Sequence, residues 1–234
     1  PQLPGVLLRD ALEATLDIGN DRHRARVLSA LTPKLSGLLL KRVLEEALAS
    51  GDHQARVNAL AGVAPPLMGA TKHLALMQAL EAARTIADDR IRVRAMSHIT
   101  SQLKGKTKDL VLQQTLEVAL AIQSNPHQAD ALSALVPQLT GETKHFALKQ
   151  ALAATMSTVV VGFRAQTMAR LAPQLKGELL EEALEAALAI ERSRAQAEAL
   201  SCIASQLTGE KKSLAVHKAL EAVLSIEHEG ARVM

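Results

Sequence analysis

One short phrase recurs seven times along this 234-residue chain, and it limits the possible folds more than any other feature. Each recurrence has leucine in the third position and glycine in the fifth position of a repeat. The repeats begin at residues 1, 33, 65, 101, 137, 173 and 205, so the complete ones are 32 or 36 residues long. Periods of this length are typical of a small supersecondary unit that stacks on its neighbours.

Each repeat contains two stretches with the spacing of an amphipathic helix. In the first stretch, a leucine that we expect in the core recurs without exception: Leu12, Leu44, Leu80, Leu116, Leu152, Leu184 and Leu220. A polar turn such as Asn20-Asp21 or Asp88-Asp89 follows. The second stretch has the expected inner residues Leu28, Leu60, Met96, Leu132, Met168 and Leu200. We expect the recurrent glycine to take a left-handed conformation at the end of the second helix, and the proline four residues before it to lie in the last turn.

The two repeat lengths differ by four residues inserted just after the glycine, as in Thr71–Leu74 and Thr143–Phe146. Four residues form about one helical turn, so the insertion lengthens the first helix by ~6 Å and keeps its apolar face in phase. A helix pair is too small to bury its apolar faces alone, so the repeats must stack. The sequence therefore predicts an all-α protein, an α-α superhelix (solenoid) of about 6.5 helix-turn-helix repeats. We expect one domain over residues 1–234, as part of a longer chain.

Composition excludes several functional classes. Aromatic residues make up only 1% of the chain, which removes the usual means of stacking on bases, and the net charge is only +3. The eight histidines form no pair four residues apart with each other or with Cys202, the one cysteine, so we expect no metal site and no cofactor. No apolar run is long enough to span a membrane, and the lone cysteine favours a reducing compartment, so we expect a cytoplasmic protein.

The length of the repeats and the wording of residues 169–190, ARLAPQLKGELLEEALEAALAI, support a resemblance to known repeat proteins. The chain resembles tetratricopeptide or HEAT-type solenoids and is similar to the degenerate helical arrays attached to large bacterial signalling and defence NTPases. This resemblance implies a bacterial protein that binds a partner or senses a ligand. We therefore expect a scaffold or interaction module. The sequence has no clustered acid–base set and no metal-ligand spacing, so we expect that it is not itself an enzyme.

One position of the second helix varies in chemistry from repeat to repeat, and we name these residues the second-helix row: Arg26, Asn58, Arg94, Asp130, Gln166 and Glu198. His98 and Arg170 lie one helical turn further on. Variation of residue type at one exposed place in a uniform repeat is how a solenoid would form a binding surface. We therefore predict that these residues line the concave face and bind a protein or peptide, with ordinary surface drift as the alternative.

The inserted turn carries a set of cations that we name the lysine row: Lys72, Lys108, Lys144, Lys211 and Lys212. Cations at helix N-termini oppose the helix dipole, so an anion would be welcome there. This gives the alternative function, binding of nucleic acid or another polyanion through a lysine-rich edge. Glu142 and Glu210 interrupt the row, which favours a solvated edge instead.

Four further features lie outside these two rows. Arginine recurs early in the second helix, with Gln128 and Gln196 as exceptions, and we interpret the arginine as a clasp between neighbouring repeats that pairs with a carboxylate or caps carbonyls, with ligand contacts as the alternative: Arg24, Arg56, Arg92, Arg164 and Arg232. Val160, Val161 and Phe163 replace a polar turn and are a candidate hydrophobic contact, with local packing as the alternative. Arg84 stands where most repeats have leucine and needs a partner such as Asp88 or a path to solvent.

Uncovered apolar ends of the array would also favour end-to-end self-association.

Overall fold

The structure is a computed structural model that describes residues 5–158 and 160–232, with the side chains of all of these except residues 161 and 227–232. Within these residues the regular secondary structure is entirely helical, which confirms the all-α prediction. The helices are α1 (Gly5–Leu16), α2 (Asp21–Leu31), α3 (Gly37–Ala49), α4 (His53–Val63), α5 (Gly69–Arg84), α6 (Asp89–Thr100), α7 (Gly105–Ala121), α8 (Asn125–Leu135), α9 (Gly141–Met156), α10 (Val161–Leu171), α11 (Glu178–Leu188), α12 (Ser193–Ala204) and α13 (Gly209–Arg232).

The chain divides into two compact units, Pro1–Thr115 and Leu116–Met234, with the boundary inside α7. In the N-terminal unit, α4 packs against α2, α3, α5 and α6. In the C-terminal unit, α12 packs against α10, α11 and α13, and α9 packs against α8, α10 and α11. Helices therefore contact their neighbours in the chain within each unit, while the solenoid arrangement and the single domain remain predictions.

The core of each unit is made of the residues that the repeat pattern selects. In the N-terminal unit Leu12, Leu28, Leu60, Leu80 and Ile99 are fully buried. In the C-terminal unit the largest fully buried side chains are Leu132, Leu135, Met168, Leu171, Leu175, Leu200 and Ile203. All six predicted inner residues of the second helices are buried, which confirms that face of the pattern.

The inserted turn lengthens the first helices as predicted. The helices α5, α7 and α9 have 16, 17 and 16 residues, whereas α1, α3 and α11 have 12, 13 and 11. Because the added turn keeps the 3.6-residue phase, both lengths bury the same leucine position: Leu12, Leu44, Leu80, Leu116, Leu152 and Leu184 are all buried.

The recurrent glycine has the expected positive φ, but its predicted place at the end of the second helix is wrong. Six glycines have φ between 53° and 57°, and they stand at or immediately before the start of the following first helix: Gly37, Gly69, Gly105, Gly141, Gly177 and Gly209. At Gly177 φ is 53° and ψ is −132°, a combination outside the left-handed helical region. The prolines lie just beyond the second helix, where Pro33, Pro137 and Pro173 each sit in a 3₁₀ turn.

The last helix departs from the pattern. The pattern of the other repeats predicts a turn near residue 226. Instead, α13 runs through this place without a break and is 24 residues long in all. The segment Ser225–Glu229 contains no Pro, Gly, Asn or Asp, so local propensity allows the helix to continue. Leu220, expected in the core, is 57% exposed, and Val216 and Leu224 are exposed on the same helix. The core prediction is therefore wrong for Leu220, because the described residues place too little against this face.

Candidate binding surfaces

The turn before each second helix in the N-terminal unit is closed by a side-chain cap. Asn20, Asp52 and Asp88 precede α2, α4 and α6, and each accepts a hydrogen bond from the backbone N–H three residues later, at 2.7 to 3.0 Å. These bonds satisfy N–H groups that have no partner inside the helix. The residues at the same place in the C-terminal unit, Ser124, Val160 and Arg192, make no such side-chain bond.

A second side chain closes the same turn in both units. Arg24, Arg56, Arg92, Gln128, Arg164 and Gln196 each donate to a backbone carbonyl at the end of the preceding first helix, on Ile18, Ser50, Ile86, Leu120, Thr158 and Leu188 respectively. The predicted carbonyl cap is confirmed, and glutamine replaces arginine because both carry a donor that reaches the carbonyl.

The predicted clasp between neighbouring repeats needs correction, since each donor and its carbonyl belong to one repeat. Arg24 alone among these residues also pairs with a carboxylate of the next repeat, with 3.1 Å from its Nε to Glu46. The side chain of Arg232 lies outside the described residues.

The second-helix row is exposed at most of its positions. Arg26, Asn58, Arg94 and Gln166 are exposed, as is His98 one turn further on, while Glu198 is half-buried and pairs with Arg194 at 3.1 Å. The residue immediately before each of these is buried in α2, α4 and α6, at Ala25, Val57 and Val93. The row therefore lies at the edge of the buried face.

Asp130 contradicts the expectation of an exposed row. Its side chain on α8 is only 7% exposed, and the distance from its Oδ1 to Nη2 of Arg170 on α10 is 2.5 Å. Both residues were expected to face a partner, but here they pack two neighbouring second helices against each other. The two charges approach because a nearly buried carboxylate requires a close cation.

The lysine row lies within the first two turns of α5, α7, α9 and α13, as predicted. Lys72, Lys108 and Lys144 are half-buried, and Lys211 and Lys212 are exposed. Lys144 donates to Oε1 of Gln174 at 2.8 Å, and Lys211 pairs with Glu181. Two of the five cations thus contact side chains of a neighbouring helix or its preceding turn.

Two grooves of about 310 Å³ each lie at equivalent places in the two units. We name them the Lys72 groove, lined by Lys72, His73, Leu76, Gln102 and Lys104, and the Lys144 groove, lined by Lys144, His145, Leu148, Gln174 and Lys176. Each groove takes its first three residues from one first helix and the other two from the start of the next repeat. Neither groove has an acidic residue in its lining.

Lys104, Lys176, Gln102 and Gln174 did not stand out in the sequence. A signal was present, because the phrase Gln-Leu-Lys-Gly occurs only at residues 102–105 and 174–177. Both occurrences come one repeat after the phrase Thr-Lys-His, which occurs only at residues 71–73 and 143–145. Which faces of two repeats meet cannot be derived from one repeat alone, so the pairing required the structure.

The described side chains of the candidate hydrophobic contact, those of Val160 and Phe163, differ in their exposure to solvent. Val160 is 61% exposed, Phe163 is half-buried, and the side chain of Val161 lies outside the described residues. Phe146 is exposed on α9. Val160 occupies the position before α10 that Asp52 occupies before α4, with a closely similar backbone.

Arg84 has partners other than the expected Asp88. It donates to Glu81 at 2.6 Å on its own helix and to Gln114 of α7 at 2.8 Å. Asp88 instead caps α6. The exposed arginine therefore links α5 to α7 within the N-terminal unit.

Cys202 is a half-buried thiol on α12. Burial raises the pKa of this thiol, and the nearby Glu198 carboxylate raises it further, so its thiolate is disfavoured. Among the described residues, no group of three or more His, Cys, Asp or Glu is placed to hold a metal ion. In the same part of the chain, no helix combines the length and the apolar composition needed to cross a membrane.

No protein-family model, curated protein or solved structure matches this chain.

Proposed function

We propose that this chain is a non-catalytic binding module that holds a protein or peptide on the second-helix row. The supporting observation is that Arg26, Asn58 and Arg94 of the N-terminal unit are exposed at one register of α2, α4 and α6, next to positions that are mostly buried, and that Gln166 is exposed at the same register of α10 in the C-terminal unit. A surface of constant backbone and changing side chains allows recognition to change without a change of fold. Asp130 and Arg170 are not part of this surface, because they bind each other.

The stacked solenoid belongs to the same proposal. In the N-terminal unit α2 packs on α4 and α4 on α6, and in the C-terminal unit α8 packs on α10 and α10 on α12. Contacts between successive second helices are what a stacked array of helix pairs requires. We propose with it the role that the resemblance implies, a scaffold or sensor module of a larger bacterial cytoplasmic protein.

The experiment is site-specific photo-cross-linking. A photoreactive residue replaces Asn58 or Gln166 in the row, and Glu45 or Glu185 on the exposed face of first helices as matched controls. A partner captured from the row is purified and its affinity is measured directly. We expect Arg26→Glu with Arg94→Glu to weaken that complex by about tenfold or more, since each removes a charge-assisted contact. Capture from Glu45 and Glu185 but not from the row would overturn the proposal.

Binding of nucleic acid or another polyanion along the lysine row is the second candidate. It is favoured by Lys72, Lys108 and Lys144, which occupy the same turn of successive first helices. This function requires an affinity for duplex DNA or RNA that falls steeply with salt. Absence of binding at low ionic strength would dismiss it.

Self-association is a further part of the proposed binding function, and the observation behind it is the exposed face of α13. Val216, Leu220 and Leu224 are exposed there at helical spacing. Sedimentation velocity over a range of concentrations should show assembly, and Leu220→Glu with Leu224→Glu should abolish it. A species that stays monomeric at high concentration would contradict this part alone.

A further inference from the structure

The two grooves gather like charges without a counter-charge in their linings. Lys72 and Lys104 line one groove with His73, and Lys144 and Lys176 line the other with His145. Each lining thus has two lysines and no acidic residue, which makes the groove a favourable place for an anionic group from outside.

The lysine, histidine and glutamine contributions occur together in the sequence. The two repeats that contain Thr-Lys-His are each followed by a repeat that begins with Gln-Leu-Lys after its first residue. The repeat between them has Asp109 after Lys108, and the repeat that follows it has Thr140 in place of the second lysine. Histidine and the second lysine are therefore present as a set or absent as a set.

We propose that each groove binds one carboxylate side chain of an acidic peptide segment. The two lysine ammonium groups and the histidine ring supply donors that suit a carboxylate. Leu76 and Leu103 in one groove, and Leu148 and Leu179 in the other, are buried and supply an apolar wall for the methylene groups of a glutamate. None of the groove residues belongs to the second-helix row, so this inference goes beyond the proposed function.

The glutamines of the two grooves differ in their hydrogen bonds. Lys144 donates to Oε1 of Gln174, whereas Oε1 of Gln102 is buried and has no hydrogen-bond partner among the described residues. Gln102 is held by its own amide, which donates to the carbonyl of Ala61 at 2.9 Å. The glutamine thus provides an acceptor that can orient the neighbouring lysine toward the ligand.

Separate carboxylates fit these grooves better than the continuous phosphates of a nucleic acid. Glu142 and Glu178 follow the glycines beside the Lys144 groove. These acidic residues would repel a continuous chain of phosphates that ran past that groove. A peptide with acidic residues at intervals has no such conflict.

The test is an NMR titration of the whole chain with acetyl-triglutamate amide, followed through the ring protons of the eight histidines. We expect saturable shifts at His73 and His145 and none with acetyl-triglutamine amide, which has the same shape without the charge. Lys72→Glu with Lys104→Glu should weaken binding at His73 by about tenfold or more and leave His145 within about twofold of the original affinity. Lys144→Glu with Lys176→Glu should do the reverse.

The matched control is Lys34→Glu with Lys106→Glu, which makes the same change of charge at exposed lysines outside both grooves and outside the lysine row. An equal loss of affinity in this control would overturn the proposal, as would equal shifts with triglutamine or no shift at His73 and His145. Binding of duplex DNA that weakens equally in all three double variants would assign the edge to nucleic acid instead. If the unaltered chain binds no triglutamate while a photoreactive residue in place of Asn58 still captures a partner, the carboxylate-binding role of the grooves is refuted and the proposed function stands.

Discussion

The contact between α2 and α4 and the contact between α8 and α10 occupy the same register, but the side chains that bring the two helices together differ. In the N-terminal unit Gly62 faces Ser29, whose hydroxyl donates to the carbonyl of Asn58 at 3.0 Å. In the C-terminal unit the position equivalent to Gly62 is Arg170, which pairs with Asp130. One contact depends on the absence of a side chain, and the other depends on a long charged one.

This difference shows that variation between repeats has two sources. Arg170 and Asp130 differ from their counterparts because they pack one helix against another, whereas Asn58 and Gln166 differ at exposed positions. A changing residue in a repeat is therefore a candidate for binding only after its neighbour in the adjacent repeat has been identified.

The two units also differ in their turns. Asn or Asp caps the second helices of the N-terminal unit, and no side-chain cap is made at the same place in the C-terminal unit. The arginine or glutamine bond to the preceding helix is present in both. The turn therefore depends on that bond in both units, and the cap adds stability only in the first.

The largest expected effect comes from breaking the ion pair of the C-terminal unit. Arg170→Ala should lower the free energy of unfolding by about 2–3 kcal/mol, because it removes the cation that faces a nearly buried carboxylate. Asp130→Ala with Arg170→Ala should recover most of the loss. Urea denaturation measures both, and equal losses in the single and double variants would show that the charges are not coupled.

The next effect tests the close approach in the N-terminal unit. Gly62→Ala should destabilise by about 1–2 kcal/mol, because its Cβ would meet the side chain of Ser29 and come within 3.0 Å of the Ser29 Cα. Gly162→Ala in α10 is the matched control, since nothing lies within 4 Å of its Cβ, and it should stabilise by about 0.5 kcal/mol. Thermal melts of both variants should shift in opposite directions.

Exchanging a cap between the units should have a smaller effect. Asp52→Ala should cost about 1 kcal/mol through the loss of the bond to Ala55. Val160→Asp should stabilise α10 by about 0.5–1 kcal/mol, because Val160 already has the extended backbone of a capping residue. Hydrogen exchange of the first turns of α4 and α10 reports each change locally. Unchanged protection of α10 in Val160→Asp would contradict the expected equivalence of the two turns.

The smallest effect is a difference in acid sensitivity. The Ser50 hydroxyl, followed by the Asp52 N–H and Arg24, lowers the pKa of Asp21, and the Ala55 N–H and Arg22 lower the pKa of Asp52. Because these pKa values are lower in the folded state, the stability they supply is complete above the ordinary value of 3.8 and is lost as the pH falls through the folded values. The residues at both places in the C-terminal unit carry no carboxylate.

Amides near the turn between α3 and α4 should therefore lose protection in acid, measured as the exchange rate relative to that of an unfolded chain at the same pH. Asp21→Asn with Asp52→Asn should remove this loss of protection, since asparagine caps a helix without titrating. A loss of protection that persists in the double variant would assign the acid sensitivity to other groups.

The repeat was sufficient to predict the helix pairs and the buried faces of the second helices, because these depend on spacing inside one repeat. For Arg24 and its counterparts it left a carboxylate or a carbonyl as the partner and wrongly placed the contact between neighbouring repeats. The burial of Asp130 and the meeting of Lys72 with Lys104 depend on two repeats together, so one repeat did not reveal them. Leu220 shows the same limit, because the burial of a first-helix leucine depends on residues outside its own repeat, and Leu220 is exposed.

The backbone at Gly177 has a consequence for chemical synthesis. Its φ of 53° and ψ of −132° are the mirror image of an extended conformation that ordinary residues adopt readily. An L-alanine there would find open space but an unfavourable dihedral angle. A D-alanine, introduced by peptide ligation, would have the matching handedness and should make the junction stiffer than glycine does, because it restricts the unfolded chain.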